Sequence, residues 1–338
     1  MAIAVTSSEA PDQPDAAGKN AVSDGREIAP LLIHIGFHKT GSTWLQQELL
    51  DNPAFGFTTQ TGETRQQIIM RVGVPDPLSY DATAVASHYA PAIDEARKSG
   101  LTLALSHERL SGHPSSGGRD RCMIADRLKS TFPESRILIV FREQRSLIQS
   151  MYSQHISAGG VESLRRYLTT PEPGWLRKPS FAFELYEFDT LIRYYQQLFG
   201  TDRVLALPLE LLQARPAEFA SRISTFCGHP PVEPEDTRSK NVRRPQLMQL
   251  VQRPLNMLFF HNDLSPGALL HVTRFHMRYG KYARPLFNLI TPKVLDDWIL
   301  RRQRRIIDSM VGNRYAVSNR RTQEIVGLPL ADLGYPVS

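Results

Sequence analysis

The stretch LLIHIGFHKTGSTW, residues 31–44, decides the fold. Leu31–Ile35 is an apolar run around one histidine and reads as a buried strand, while Thr43–Leu50 opens a helix. Between them lies a loop rich in glycine and hydroxyl residues. Strand, tight glycine loop and helix N-terminus in that order make a ready anion site, because the first backbone N–H groups of a helix lack internal partners. The spacing nearly fits the phosphate-loop pattern G-x-x-x-x-G-K-[ST], with Gly36, four residues, Gly41, then Ser42 and Thr43. Ser42 stands where that pattern has lysine, and the nearby Lys39 lies two residues before the second glycine. Two readings stay open at this point: a nucleoside-triphosphate site that has lost its lysine, or an intact site for a different phosphorylated ligand.

Working outward, Asn52-Pro53 stops the first helix. A helical pattern follows from Asp81 to Gly100, with Asp81 as N-cap and Gly100 at the C-terminal end. LTLALSHE (101–108) is a second buried strand running into polar residues. RDRCMIADRLKSTFP reads as a helix, and RILIVF (136–141) as a third strand leading into the helix REQRSLIQSMYSQHI. RVLALPLELL (203–212) is a fourth strand candidate between the helices DTLIRYYQQLFG and PAEFASRISTFCG. Continuously apolar strands alternating with helices imply a parallel sheet covered on both faces. The expected fold is therefore an α/β, P-loop-like parallel sheet flanked by helices. Residues from about 245 to 300 are more basic and aromatic without a clear strand, and read as a helical insertion near the mouth of the site.

The chain has 338 residues, 41% of them hydrophobic and 22% charged, which is enough for a sizeable core. A net charge of +6 and a pI near 9.4 favour anionic partners without choosing among them. No dense run of Lys and Arg with interleaved aromatics is present, which argues against a nucleic-acid groove. Two cysteines, Cys122 and Cys227, exclude a disulfide framework, and both are expected to be buried thiols in helices. Residues 1–29 are expected to form a disordered tail ahead of one domain over 30–338. The first 27 residues lack the charged start and apolar core of a secretory signal. No run of about 18 apolar residues spans a bilayer, so the expected compartment is the cytoplasm.

Ligands of such sheets bind at the carboxyl ends of the strands, here the loop Gly36–Ser42, His107-Glu108, Arg142 and Glu210. A nucleoside-triphosphatase needs Mg²⁺ held partly by a carboxylate at a second strand end. RILIVF ends instead in Arg142, whose planar fork suits a phosphate. Ser150 follows eight residues later, about two helical turns on, so both can serve one phosphate. That would be a different phosphate from the one at the first loop.

Two phosphate sites at neighbouring strand ends describe a nucleoside phosphorylated at both ends, and on these residues the chain resembles the PAPS-dependent sulfotransferase superfamily. FHKTGSTW is similar to its 5′-phosphosulfate loop, usually P-K-[TS]-G-[TS]-T-W, and Arg142 with Ser150 to its 3′-phosphate pair. Residues 188–228 and 313–336 resemble the later strand, helix and C-terminal tail of bacterial members. The resemblance implies 3′-phosphoadenosine 5′-phosphosulfate (PAPS) as co-substrate, no metal, and an acceptor hydroxyl on a glycan, lipid or small alcohol. It implies that Lys39 contacts the phosphosulfate bridge, with His38, Thr40, Gly41, Ser42, Thr43 and Trp44 completing the loop. Trp44 reads better as packing. Lys240 and Arg243, in SKNVRRP, resemble a basic loop that closes over the nucleotide. His38 stands where relatives usually carry proline.

The base is open among three residues. Glu108 is the first choice, because bacterial relatives often show a glutamate there and a desolvated glutamate can titrate near the working pH. His107 is the second, and Glu63 is the candidate in an earlier loop. The basic-aromatic stretch 274–287 suits an acidic glycan, a membrane surface or a partly exposed helix. Two rivals remain: a phosphate-loop kinase or NTPase using Glu108 for a metal, and a non-catalytic nucleotide-binding module.

Overall fold

The computed structural model describes residues 27–169, 181–234, 245–259, 270 and 275–338. Five strands form one sheet: β1 (Leu31–His34), β2 (Phe57–Thr58), β3 (Thr102–Ser106), β4 (Arg136–Phe141) and β5 (Val204–Pro208). Their order is β2-β3-β1-β4-β5 and every pairing is parallel. All residues of β1 and β3, and all but the first of β4, are buried. Since alternate side chains point to opposite faces, both faces of these strands are covered, as their unbroken apolar runs require.

The order places a switch beside β1. From β1 the chain runs to the edge strand β2, comes back to β3 beside β1, then crosses to β4 and β5 on the other side. Side by side at the centre, β1 and β4 are therefore followed by connections that leave in opposite directions, which opens a crevice at their carboxyl ends. The ladder runs past β1, with Ile35 N–H donating to Leu138 O and Phe37 N–H to Val140 O, both at 2.9 Å. The glycine loop thus leaves a straight backbone only after Phe37.

The helices are α1 (Ser42–Trp44), α2 (Gln67–Val72), α3 (Ala82–Lys98), α4 (Arg121–Thr131), α5 (Gln144–Ser157), α6 (Leu164–Leu168), α7 (Phe188–Phe199), α8 (Leu209–Ala214), α9 (Pro216–Phe226), α10 (Gln246–Phe259), α11 (Phe275–Ile290), α12 (Lys293–Val311) and α13 (Ala316–Val326). Asp81 caps α3, accepting from Ala84 N–H at 2.9 Å, and Gly100 follows its end at φ 67°. Of residues 245–290, those described are helical over Gln246–Phe259 and Phe275–Ile290. No helix among the described residues is long and apolar enough to cross a membrane.

Several expectations need correction. The fourth strand stops at Pro208 and LELLQA is helix α8, because proline ends the ladder while the apolar run that follows suits either structure. Edge strand β2 is only two residues long, too short to carry an alternation. Cys122 is exposed, on the outer side of α4, while Cys227 is buried and its thiol pushed up to about 12 by that burial. Ala29, assigned to the tail, is buried: its N–H donates to Cys227 O at 2.9 Å and its carbonyl accepts from Thr102 Oγ1 at 2.7 Å. Residues 1–26 lie outside the described residues.

Candidate functional site

The loop after β1 is held by its own side chains. Thr40 Oγ1 donates to Phe37 O at 2.5 Å, which closes the turn from beneath. Lys39 has φ 65° and is exposed, the one non-glycine residue with positive φ among those described. Such a conformation costs a residue with a Cβ about 1–3 kcal/mol and persists where the surroundings enforce it. Gly41 follows at φ 79°, and a Cβ there would lie 2.8 Å from Leu209 Cδ1. The loop's second glycine is thus required by backbone angle and by its approach to α8. Leu45 N–H donates to Gly41 O (3.2 Å), and Leu45–Leu49 widens into a π turn closed by Leu50 N–H to Leu45 O at 2.9 Å. Trp44 is buried in the core, so it packs the loop's helix.

Across the crevice, Arg142 leaves β4 and its Nη1 donates to Lys39 O at 3.3 Å. The next residue anchors the following helix. Glu143 caps α5 by accepting from Arg145 N–H (2.9 Å) and Ser146 N–H (2.8 Å). Its own N–H donates to Glu210 Oε1 at 3.1 Å, and Tyr335 O–H donates to Glu210 Oε2 at 2.7 Å. Burial pushes the Glu210 carboxyl up, against the pull of those donors and of Arg142. Ser146 Oγ donates back to Glu143 O at 3.0 Å. Ser150, one turn further, is half-buried and has no such bond within its own turn. Lys240 and Arg243 lie outside the described residues.

Beside the loop, the end of β3 gathers titratable groups. His107 Nδ1 accepts from Arg109 N–H at 3.1 Å. A neutral His107 therefore carries its proton on Nε2 and has no free lone pair for a proton. Arg109 turns to Asp120, 3.8 Å away, rather than to Glu108. Burial pushes the Glu108 carboxyl up, but its own backbone N–H and the imidazoles of His38, His107 and His34 outweigh that and hold it below the ordinary carboxylate value. This corrects the expectation of a glutamate titrating near the working pH. His38 is half-buried and pushed down to about 4, by burial first and then by His113, Arg109 and His107, with Glu108 opposing. At neutral pH the cluster is a carboxylate among neutral imidazoles.

Sequence reasoning passed over a chain of bonds beneath the loop. His34 is fully buried and its Nδ1 lies 2.7 Å from Ser106 Oγ. Ser106 Oγ accepts from Gln46 Nε2 at 2.8 Å, and Gln46 Oε1 accepts from Arg65 Nη1 at 2.5 Å. His34 Nδ1 and Ser106 Oγ thus share one hydrogen bond, and the other ring nitrogen is Nε2. That Nε2 is buried without a hydrogen-bond partner, and a Cβ on Gly36 would lie 2.4 Å from it. The first glycine is therefore needed to clear the ring. A histidine in an otherwise apolar strand was the available signal.

Glu63 is held elsewhere. Its carboxylate accepts from Arg71 Nη2 at 2.5 Å and lies 3.1 Å from His88 Nε2, and chiefly the Arg71 bond keeps it below its ordinary value. A carboxylate so engaged is a poor proton acceptor. A cavity of about 560 Å³ lies at the opposite end of the sheet against Arg136, Leu205 and Phe226, away from these groups. A smaller one of about 310 Å³ borders the start of α5 at Ser146 and Gln149.

The sulfotransferase family model matches residues 30–234, which spans the glycine loop, β3, Arg142, Ser150 and β5. The chain belongs to the sulfotransferase family. Among solved structures, this sulfotransferase is similar to one from Alicyclobacillus acidocaldarius at 14% identity, covering 67% of this chain and 92% of that one with a TM-score of 0.43. It is also similar to the sulfotransferase domain from the curacin biosynthetic pathway at 13% identity, covering 85% and 98% with a TM-score of 0.39. No curated protein matches the sequence.

Proposed function

We propose that this sulfotransferase moves the sulfuryl group of PAPS to an acceptor hydroxyl. The observation that supports this most is the contact of Arg142 with the Lys39 carbonyl at the β1–β4 crevice. It draws the guanidinium from one strand end to the backbone of the cationic residue in the adjacent loop, which suits a ligand with separate 5′ and 3′ anionic groups. The donor set fits such a ligand. Backbone N–H groups of Gly41–Thr43 and the Lys39 ammonium would hold the 5′ phosphosulfate, and Arg142 with Ser150 the 3′-phosphate. Gly41 keeps the cradle open, since a Cβ there would meet Leu209.

When bound, PAPS supplies the sulfuryl group and a phosphate leaving group. Lys39 carries a positive charge to where negative charge builds on the departing oxygen, and a charge fixed in place there needs no rearrangement during transfer. Glu108, ionised at neutral pH, takes the acceptor's proton. Its lowered pKa makes it a weak base, suited to a proton that becomes acidic only as the new O–S bond forms. His38, standing where proline is usual, is neutral beside Glu108 and serves as a polar wall rather than a second charge.

We extend the sulfotransferase domain over residues 30–338, with 245–300 as a helical insertion. In support, Asn256 Nδ2 of α10 donates to Ile156 O (2.8 Å) and Gly160 O (3.0 Å), and Asn319 Oδ1 of α13 accepts from Gln144 Nε2 at 2.6 Å. The C-terminal helices thus grip both ends of α5. The test is transfer of labelled sulfate from PAPS to a panel of glycans, lipid-linked sugars and small alcohols without added magnesium. Transfer to any member supports the reading. Turnover of ATP that requires magnesium, with no sulfate transfer, would assign the site to a kinase or NTPase.

A further inference from the structure

We propose that the α11–α12 hairpin is a docking surface for an anionic lipid bilayer. Among the described residues, most strongly exposed large apolar side chains lie between Leu250 and Trp298. Within α11 they follow a helical repeat. Tyr282 (70% exposed), Leu286 (53%), Leu289 (85%) and Ile290 (52%) fall at i, i+4, i+7 and i+8, one face of the helix. The stripe continues across the turn into α12 through Val294 (77%) and Trp298 (47%).

The helix is anchored near its start, one turn before the stripe begins: Tyr279 O–H donates to Met248 O of α10 at 3.2 Å, and the Tyr279 ring lies 6.5 Å from that of Phe287. Beyond that anchor the stripe is turned to solvent, and a contiguous exposed apolar surface rimmed by polar residues marks a protein or membrane contact. Neither α11 nor α12 qualifies as a membrane span, so lying on the surface is the geometry left for them.

Charge selects the occupant. Lys281, Lys293, Arg301 and Arg302 are exposed around the stripe. The Lys281 ammonium lies 5.5 Å from the Tyr282 ring centroid and the Arg302 guanidinium 5.8 Å from that of Trp298. Asp296 turns inward to accept from Gln246 N–H, which leaves Asp297 as the acid nearest the cationic rim. Aromatic and aliphatic side chains ringed by Lys and Arg suit the boundary where acyl chains meet anionic headgroups. A purely apolar partner would leave the cationic rim desolvated and unpaired, and a second copy bearing the same positive rim would meet repulsion.

The experiment is flotation of the full chain with vesicles of phosphatidylcholine alone or with added phosphatidylglycerol, at low and high salt. Capture should be at least ~10-fold greater on the anionic vesicles and fall with salt. The double variant Leu286→Ser/Leu289→Ser, whose sites are exposed, should lose ~10-fold or more of it with an unchanged melting curve. In the unaltered protein, Trp298 fluorescence, read as the difference from Trp298→Phe, should shift to the blue on anionic vesicles only. Equal capture on both vesicles, no capture, or no shift of Trp298 would overturn the proposal. So would a concentration-dependent dimer that the double variant converts to monomer, since the face would then belong to a second copy. Binding is read without any transfer assay, so this outcome is independent of the reaction assigned to the strand ends.

Discussion

Arg142 Nη1 lies 3.3 Å from the Lys39 carbonyl, so the residue that follows β4 holds the backbone of the residue that distinguishes the β1 loop. The two cations are structurally linked but are assigned to opposite ends of one nucleotide. Arg142→Ala should weaken binding of 3′,5′-adenosine bisphosphate by roughly 10- to 100-fold, the usual range for a charge-assisted contact. Adenosine 5′-phosphate should lose little. Equal losses by titration calorimetry would mean that Arg142 acts through the loop rather than on a 3′-phosphate.

Lys39→Ala should leave bisphosphate affinity within a few-fold while lowering kcat by at least ~100-fold, because its charge acts mainly on the departing oxygen. Parallel loss of affinity and turnover would place Lys39 in ground-state binding instead.

For the base, Glu108→Gln should lower kcat by ~100-fold or more with bisphosphate affinity preserved. His107→Asn should cost far less, because Nδ1 is occupied by Arg109 N–H. Since Glu108 sits below its ordinary value, the rate should hold from neutral pH down past 5 and fall only on protonation of that carboxylate. An acid limb near 6.5 that survives Glu108→Gln would point to a histidine.

His34 makes acid sensitivity a property of the core. Burial pushes it down to about 4 from an ordinary 6.5, with Glu108 opposing. The unfolded chain binds this proton near pH 6.5 and the folded chain only near 4. Stability is therefore undiminished above 6.5 and is lost as pH falls through that window, by roughly 3 kcal/mol. Denaturant unfolding of His34→Gln should show a shallower loss over the same range. An identical slope in both proteins would place the acid sensitivity elsewhere.

Gly36→Ala should destabilise by about 1–3 kcal/mol, because its Cβ would fall 2.4 Å from His34 Nε2. Adding His34→Ala should remove part of that cost rather than add to it. Strict additivity would show that the ring is not what requires the glycine.

The sheet was legible because its strands are buried on both faces and so read as unbroken apolar runs. Helix α3 was legible through Asp81 and Gly100, whose roles depend only on neighbouring backbone. Edge strand β2 and helix α8 were not, since two residues carry no period and LELL suits either structure until Pro208 ends the ladder. The places of Lys39, Arg142 and Glu108 in the fold could be read because strand ends fix where a loop emerges, whereas the roles proposed for Lys39 and Glu108 come from the resemblance. The His34–Ser106–Gln46–Arg65 chain joins four segments across the fold, and no local spacing announces it. The lowered Glu108 pKa was hidden for the same reason, since it depends on which imidazoles surround the carboxylate.

The most direct test of a PAPS site is the melting temperature with saturating 3′,5′-adenosine bisphosphate against saturating ATP with magnesium. A ligand at about 100 times its Kd adds close to 2.7 kcal/mol to stability, a shift of several degrees. The bisphosphate should give that shift without metal, and ATP with magnesium a smaller one. No shift with the bisphosphate alongside a clear one with ATP and magnesium would contradict the assignment of Lys39 and Arg142 to the two ends of PAPS.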